Sequence, residues 1–215
     1  MPLLYKTESP RIGIWKMDES AEELRAMLPE ATWEELLALD GNPRLSSDAR
    51  QKEWMTSRLL VKELIGQTCG ITHDTSGAPR LADSSLHISI SHTRGYAAII
   101  LSDIQRTGID IEYTSDRVRK IRSRFLSPEE ESFIDPQTDT QQLLICWCAK
   151  ETLYKIIGQE GIDFSTHLHI RPFRYSEPEG LLHVHESKTK QQHAYTLHYQ
   201  VRPEFTLTYL NQQLK

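Results

Sequence analysis

The chain has 215 residues, 38% of them hydrophobic, which suffices for one sizeable core or for two smaller halves that share an interface. Its 30 acidic residues outnumber the 25 basic ones and give a formal net charge of −5. That balance argues against nucleic acid as the main partner, because phosphate-backbone binding relies on clustered positive charge. No run approaches the roughly twenty apolar residues of a membrane span, and the first six residues lack the apolar region of a signal peptide. A cytoplasmic location is expected. The 3 cysteines are an odd number, with Cys146 and Cys148 too close to bridge comfortably; they fit a reducing compartment and read as packing residues.

In chain order, residues 11–16 alternate as a strand, and Asp18 or Ser20 is placed to cap a helix through about Met27. Pro29 ends it, residues 31–39 continue as a second helical segment, and Asp40-Gly41-Asn42-Pro43 closes that segment with a cluster of breakers. A long helix is predicted from Ser47 to about Ile65, with Trp54, Met55, Leu59, Val61, Leu64 and Ile65 as its apolar face and Gly66 as terminator. Arg50, Lys52 and Arg58 lie on its other side, where a solvated helix face is the simplest account. Thr75 to Arg80 reads as a turn before a strand. Residues 86–92 and 96–101 then form a hairpin across Thr93-Arg94-Gly95, leaving Ser91 and His92 at the hairpin end.

The strand predicted over residues 107–112 carries Asp110 and Glu112 two apart, so both carboxylates leave one face while Ile109 and Ile111 take the other. Gly108 just before them permits close backbone approach. A helix follows from Asp116, with Val118, Ile121 and Phe125 as one stripe and Arg117, Arg119, Lys120, Arg122 and Arg124 around it. Ser127-Pro128-Glu129-Glu130 starts another helix: a serine cap, proline at the first position, and carboxylates suited to a helix N-terminus. The helix expected from about Thr140 to Ile157, closed by Gly158, sets Glu151 and Lys155 one turn apart on one face. Residues 181–186, 194–201 and 205–210 alternate as three strands, with His183, His185, His193 and His198 on the wet side of the sheet.

Three carboxylates on rigid elements, with a lysine beside them, suit a hard, oxygen-seeking ion such as Mg²⁺ that keeps waters and also binds substrate phosphates. The chemistry suggested is phosphoryl transfer. Each motif alone also has a bland account: two acids on a strand can be its wet face, and Glu151 with Lys155 can be an ordinary i,i+4 ion pair.

The ordered set Ile90-Ser91-His92, Gly108-Ile109-Asp110-Ile111-Glu112 and Trp147-x-x-Lys150-Glu151-x-x-x-Lys155 resembles the signature of the 4′-phosphopantetheinyl transferases, with Phe125-Leu126-Ser127-Pro128-Glu129-Glu130 at a further family position. The likeness covers roughly residues 48 to 165, and the total length resembles the longer, pseudo-dimeric branch that primes surfactin synthetase. It implies an α+β fold of two similar halves, 1–106 and 107–215, related by a pseudo-twofold with the active site in the cleft between them. It further implies Mg²⁺ on Asp110, Glu112 and Glu151, and a catalytic set of Glu130, as the general base, with Glu151 and Lys155. Coenzyme A would be the donor, contacted by Arg50, Lys52, Arg58, Ser91, His92, Lys150 and Lys155. The implied partner is an apo acyl or peptidyl carrier protein docking on the basic helix from Arg117 to Arg124, and the implied state is a monomer. Ala78 replaces a family lysine, with Arg80 as a candidate substitute. Two readings from other classes stay open: a carrier-binding or coenzyme A-binding module impaired in transfer, and an Mg²⁺-dependent phosphohydrolase.

Overall fold

The computed structural model describes residues 3–30, 32, 47–82, 84–104, 106–135 and 138–214. The chain forms two compact units, Met1–Gln105 and Arg106–Lys215. Both mix helices with antiparallel sheet, the α+β class expected. The helical segment expected over 31–39 and the turn at 40–43 lie outside the described residues, apart from Thr32.

In the first unit, β1 (Leu3–Glu8), β2 (Arg11–Lys16), β5 (His87–Thr93) and β6 (Tyr96–Ser102) make one antiparallel sheet in the order β1-β2-β6-β5. The short pair β3 (Ile71–His73) and β4 (Pro79–Leu81) forms a separate two-stranded sheet whose Ile71 and Leu81 join the same core. Helix α1 (Ala21–Met27) begins with a reciprocal capping box between Ser20 and Glu23. Helix α2 (Asp48–Ile65) starts where the Ser47 side chain accepts from Arg50 N–H and stops at Gly66, whose φ of 85° is in the left-handed region. Its Met55, Leu59, Leu60, Val61 and Leu64 pack with Trp15, Ile88, Ala97, Ile99 and Leu101 of the sheet. Gly13 lets the two layers meet, since a Cβ there would come within 2.9 Å of the Leu60 side chain.

The second unit has β7 (Ile109–Tyr113), α3 (Arg117–Ile121), α4 (Pro128–Glu131), α5 (Asp139–Ile157), α6 (Phe164–His167), β8 (Leu168–Ile170), β9 (Glu179–Glu186), β10 (Ala194–Val201) and β11 (Phe205–Leu214). Its five strands form a sheet in the order β7-β11-β10-β9-β8. Leu143, Ile145, Cys146, Ala149 and Leu153 of α5 pack with Leu182, Val184, Leu197 and Tyr199. Each fully buried Leu or Ile in such a layer contributes on the order of 2 kcal/mol.

The acid-bearing face of β7 is largely covered, with Asp110 buried and Glu112 half-buried. Asp110 pairs in register with Thr208, and Glu112 with Thr206, on neighbouring β11. Helix α5 lies against this polar stripe: Thr152 Oγ1 and Thr208 Oγ1 are 2.6 Å apart, and Cys148 Sγ is 3.7 Å from Thr206 O. Gly108 makes the approach possible, because a Cβ there would stand 2.5 Å from Thr152 O and 2.8 Å from Ile156. At the helix end the Arg106 guanidinium donates to Lys155 O at 3.0 Å, while its other atoms fill the space a Cβ on Gly158 would need.

The basic segment differs from the single helix expected. It is the five-residue α3 followed by a 3₁₀ turn, Arg122–Arg124. The tightened turn brings Arg122 to Glu131, with which it makes two short contacts. Arg119 is likewise engaged, with Asp116, Asp139 and Thr140. Arg117, Lys120 and Arg124 are the exposed cations that are left.

Candidate active site

Strand β7 and helix α5 bring four of the expected side chains together. Asp110 is 4% exposed. Its Oδ1 accepts from Lys155 Nζ at 2.8 Å, and the same ammonium donates to Ile109 O at 2.9 Å. Glu112 Oε1 accepts from the indole N–H of Trp147 at 2.9 Å. Glu151, one turn before Lys155 on α5, has its carboxyl pushed up to about 7 by burial first, then by Asp110 and Glu112, with Lys155 opposing. Three acids thus feel one another in a partly dry place.

That donor set is all oxygen and carries up to three negative charges, which fits a hard dication retaining part of its water shell. Among the described residues no group of three or more His, Cys, Asp or Glu side chains is already arranged as a metal cage. Lys155 instead holds Asp110, and Trp147 holds Glu112. Lys155 partly supplies the positive charge the acids require.

Glu130 and Lys150 are placed otherwise than expected. Both are buried, at 2% and 0% exposure. Lys150 Nζ donates to Glu130 Oε2 at 2.6 Å, Phe125 O at 2.6 Å and Phe164 O at 2.9 Å. Glu130 Oε2 also accepts from Ser127 N–H at 2.7 Å and its Oε1 from Ile170 N–H at 2.8 Å. Burial lowers the Lys150 pKa, with Glu130 opposing. The thiols of Cys146 and Cys148 are buried and pushed up chiefly by desolvation, which makes them poor nucleophiles.

In the first unit, His92 Nε2 is 2.8 Å from Ser57 Oγ. The Ser57 hydroxyl donates to Glu53 O at 2.7 Å, so its single proton is used and His92 Nε2–H is assigned as donor of that contact. Ser91 is buried beside it on β5. Arg50 is exposed and pairs with Glu53 at 3.1 Å, and Lys52 is half-buried on the same helix. Arg58 lies over the Trp54 ring, 3.3 Å from its centroid, and donates to Trp54 O and Ile71 O. Arg80, the candidate substitute for the missing lysine, is 3.1 Å from Asp74 through both Nε and Nη2. Asp74 is held down at about 2, chiefly by the Ser76 hydroxyl.

Sequence reasoning took Trp147 as part of the family-like signature and missed its bond to Glu112. Its position four residues before Glu151, on the same helix face, was the available signal. It also missed Arg106 at the end of α5 and the Thr152–Thr208 hydroxyl pair, for which no local pattern exists.

The sequence model of the 4′-phosphopantetheinyl transferase superfamily matches residues 106–209. The 4′-phosphopantetheinyl transferase HetI of Nostoc sp. is 24% identical over 173 residues, covering 72% of this chain and 71% of HetI. A 72% share is longer than the second unit, so the likeness reaches into the first. The 4′-phosphopantetheinyl transferase AcpT of Escherichia coli O157:H7 is 27% identical over 115 residues, 52% of this chain and 59% of AcpT. The matched stretch contains β7, α5 and every side chain of the acid–lysine cluster, so the part of the chain that carries the cluster is similar to the 4′-phosphopantetheinyl transferase superfamily.

Proposed function

We propose that this protein transfers 4′-phosphopantetheine from coenzyme A to a serine of an apo carrier protein in an Mg²⁺-dependent reaction. The observation that carries the reading is the cluster of Asp110, Glu112, Glu151 and Lys155 where α5 crosses β7, inside the stretch that matches the superfamily. Asp110, Glu112 and Glu151 would hold the Mg²⁺, which when bound supplies positive charge to the pyrophosphate.

The carrier serine Oγ forms a bond to the β-phosphorus bearing the pantetheine arm, and the bond from that phosphorus to the bridging oxygen breaks. The serine proton goes to a base, and adenosine 3′,5′-bisphosphate leaves with the electron pair. Lys155 meets the negative charge that develops on the leaving phosphate, a role open to an ammonium already aimed at the acid cluster. Ser91 and His92, with Arg50, Lys52 and Arg58, are proposed to hold the coenzyme A phosphates. The nucleophile belongs to the partner, so this chain's work is positioning and charge stabilisation. The exposed Arg117, Lys120 and Arg124 are the proposed contact for an acidic carrier.

The test is intact mass spectrometry of an apo acyl carrier protein incubated with this protein, coenzyme A and Mg²⁺. A gain of one phosphopantetheine, roughly 340 Da, lost on adding EDTA, is the expected result. One observation favours a second reading: Ala78 stands where an additional lysine is expected, and Arg80 is already engaged by Asp74. Coenzyme A binding without any mass gain across several carriers would move the assignment to an impaired binding module.

A further inference from the structure

We propose that Lys150 and Glu130 are a positioning pair for the acid cluster rather than a phosphate ligand and a general base; the proposal rests on the transferase reading for its link to catalysis. An ammonium has three N–H donors and no more. All three of Lys150's meet acceptors at 2.6 to 2.9 Å inside the protein. A phosphate could be bound only by breaking one of them. Glu130 is equally committed, since both its oxygens accept backbone N–H groups and one also takes the ammonium. A base that must reach a partner's hydroxyl within hydrogen-bond range is poorly served by a carboxylate at 2% exposure.

What the pair does hold is a junction. Lys150 binds the carbonyls of Phe125 and Phe164, and Glu130 binds Ser127 and Ile170. The end of the 3₁₀ turn, the start of α4, the start of α6 and the end of β8 are thereby tied to one point on α5. The two residues whose carbonyls bind Lys150 also clamp Trp147: the Phe125 ring packs edge-on at 5.3 Å and the Phe164 ring lies tilted at 5.7 Å. Trp147 in turn donates to Glu112. Lys150 therefore fixes the acid cluster by two routes. Glu151 is the next residue on the helix, and Glu112 is oriented through the aromatic clamp. Groups that orient metal-binding side chains in this way typically alter metal affinity ten- to a hundredfold when removed.

The experiment compares wild type with Glu130→Gln and with the double variant Glu130→Gln/Lys150→Met. Glutamine keeps the shape but sets an amide N–H₂ against either the Ile170 N–H or the Lys150 and Ser127 donors. The double variant removes the buried charge altogether, which guards against simple failure to fold. Three readouts are taken: the ¹⁹F resonance of 5-fluorotryptophan at Trp147, assigned with Trp147→Phe; Mn²⁺ affinity; and the pH profile of transfer. A displaced or broadened Trp147 resonance, Mn²⁺ binding weakened about tenfold or more, and a pH profile of unchanged shape at reduced rate support the proposal. An unchanged Trp147 resonance and unchanged Mn²⁺ affinity, with transfer reduced and the basic limb of the profile lost, would overturn it and restore Glu130 as the base. A wild type that neither binds Mn²⁺ nor transfers would sink the transferase reading alone, and the Trp147 resonance would still decide whether the pair holds the clamp.

Discussion

Glu151 holds its proton to about 7, against an ordinary value of 4.5, because burial and the charges of Asp110 and Glu112 disfavour its ionised form. The folded state therefore binds more protons than the unfolded one between these two values, and stability must fall as pH rises through that window. Below about 4.5 the penalty is absent; above about 7 it is fully present. In metal-free protein at pH 8, Glu151→Gln is expected to raise stability by on the order of 2 kcal/mol, with the gain vanishing near pH 4.5. Thermal melts in EDTA across that range check this. Mg²⁺ should raise the melting temperature of wild type and do so far less for the variant. A gain over wild type that is no larger at pH 8 than at pH 4.5 would show that burial and the neighbouring acids do not hold Glu151 protonated as described. On the proposed function the same residue is thus a liability for the empty fold and a metal donor for the loaded one.

At the level of elements, the cluster exists because a glycine admits a helix to a strand. Gly108→Ala would set a Cβ 2.5 Å from the Thr152 carbonyl, so α5 and β7 must separate. Overpacking of this kind costs about 1–3 kcal/mol, to be read as a lower urea midpoint. Mn²⁺ binding should weaken with it, because Glu151 and Lys155 are on the displaced helix. Unchanged binding would mean that helix and strand are not held together at this point.

The two long helices, their glycine terminators and the β5–β6 hairpin were legible from periodicity and caps, and so was the pairing of Asp110 with Glu112 on one face. That this face is largely covered was not legible: it follows from α5 lying on Thr206 and Thr208, a contact between residues more than fifty positions apart. The roles of Glu130 and Lys150 were hidden for the same reason, since their partners Phe164 and Ile170 lie on elements of three and four residues with little periodicity of their own. β1, at the chain start, was also missed, its burial alternating too weakly to read from sequence.

Across the whole molecule, the formal charge of −5 is opposed locally by the exposed Arg117, Lys120 and Arg124. Two of the five cations that sequence reading assigned to this surface, Arg119 and Arg122, are consumed by Asp139 and Glu131 and add little outward field. An acidic partner steered by the remaining three should show a KM that rises several-fold between 50 and 300 mM salt while kcat holds, since screening acts on encounter and exposed pairs. Reversing Arg117 and Lys120 to glutamate should abolish that salt dependence. Arg119→Ala, by contrast, should register mainly as lost stability. Equal salt slopes in wild type and the reversed variant would remove this surface from the docking account.

The carboxylate of Glu130 also changes how the second sheet meets its neighbours. β8 is one of the sheet's two terminal strands, three residues long, and its Ile170 N–H is turned away from β9 into the Glu130 carboxylate. An outward N–H on a terminal strand is what a second chain uses to extend a sheet. Here that donor is occupied from within by a group that carries negative charge. The junction that steadies α5 therefore also makes the β8 edge of the sheet a poor seed for strand-to-strand aggregation.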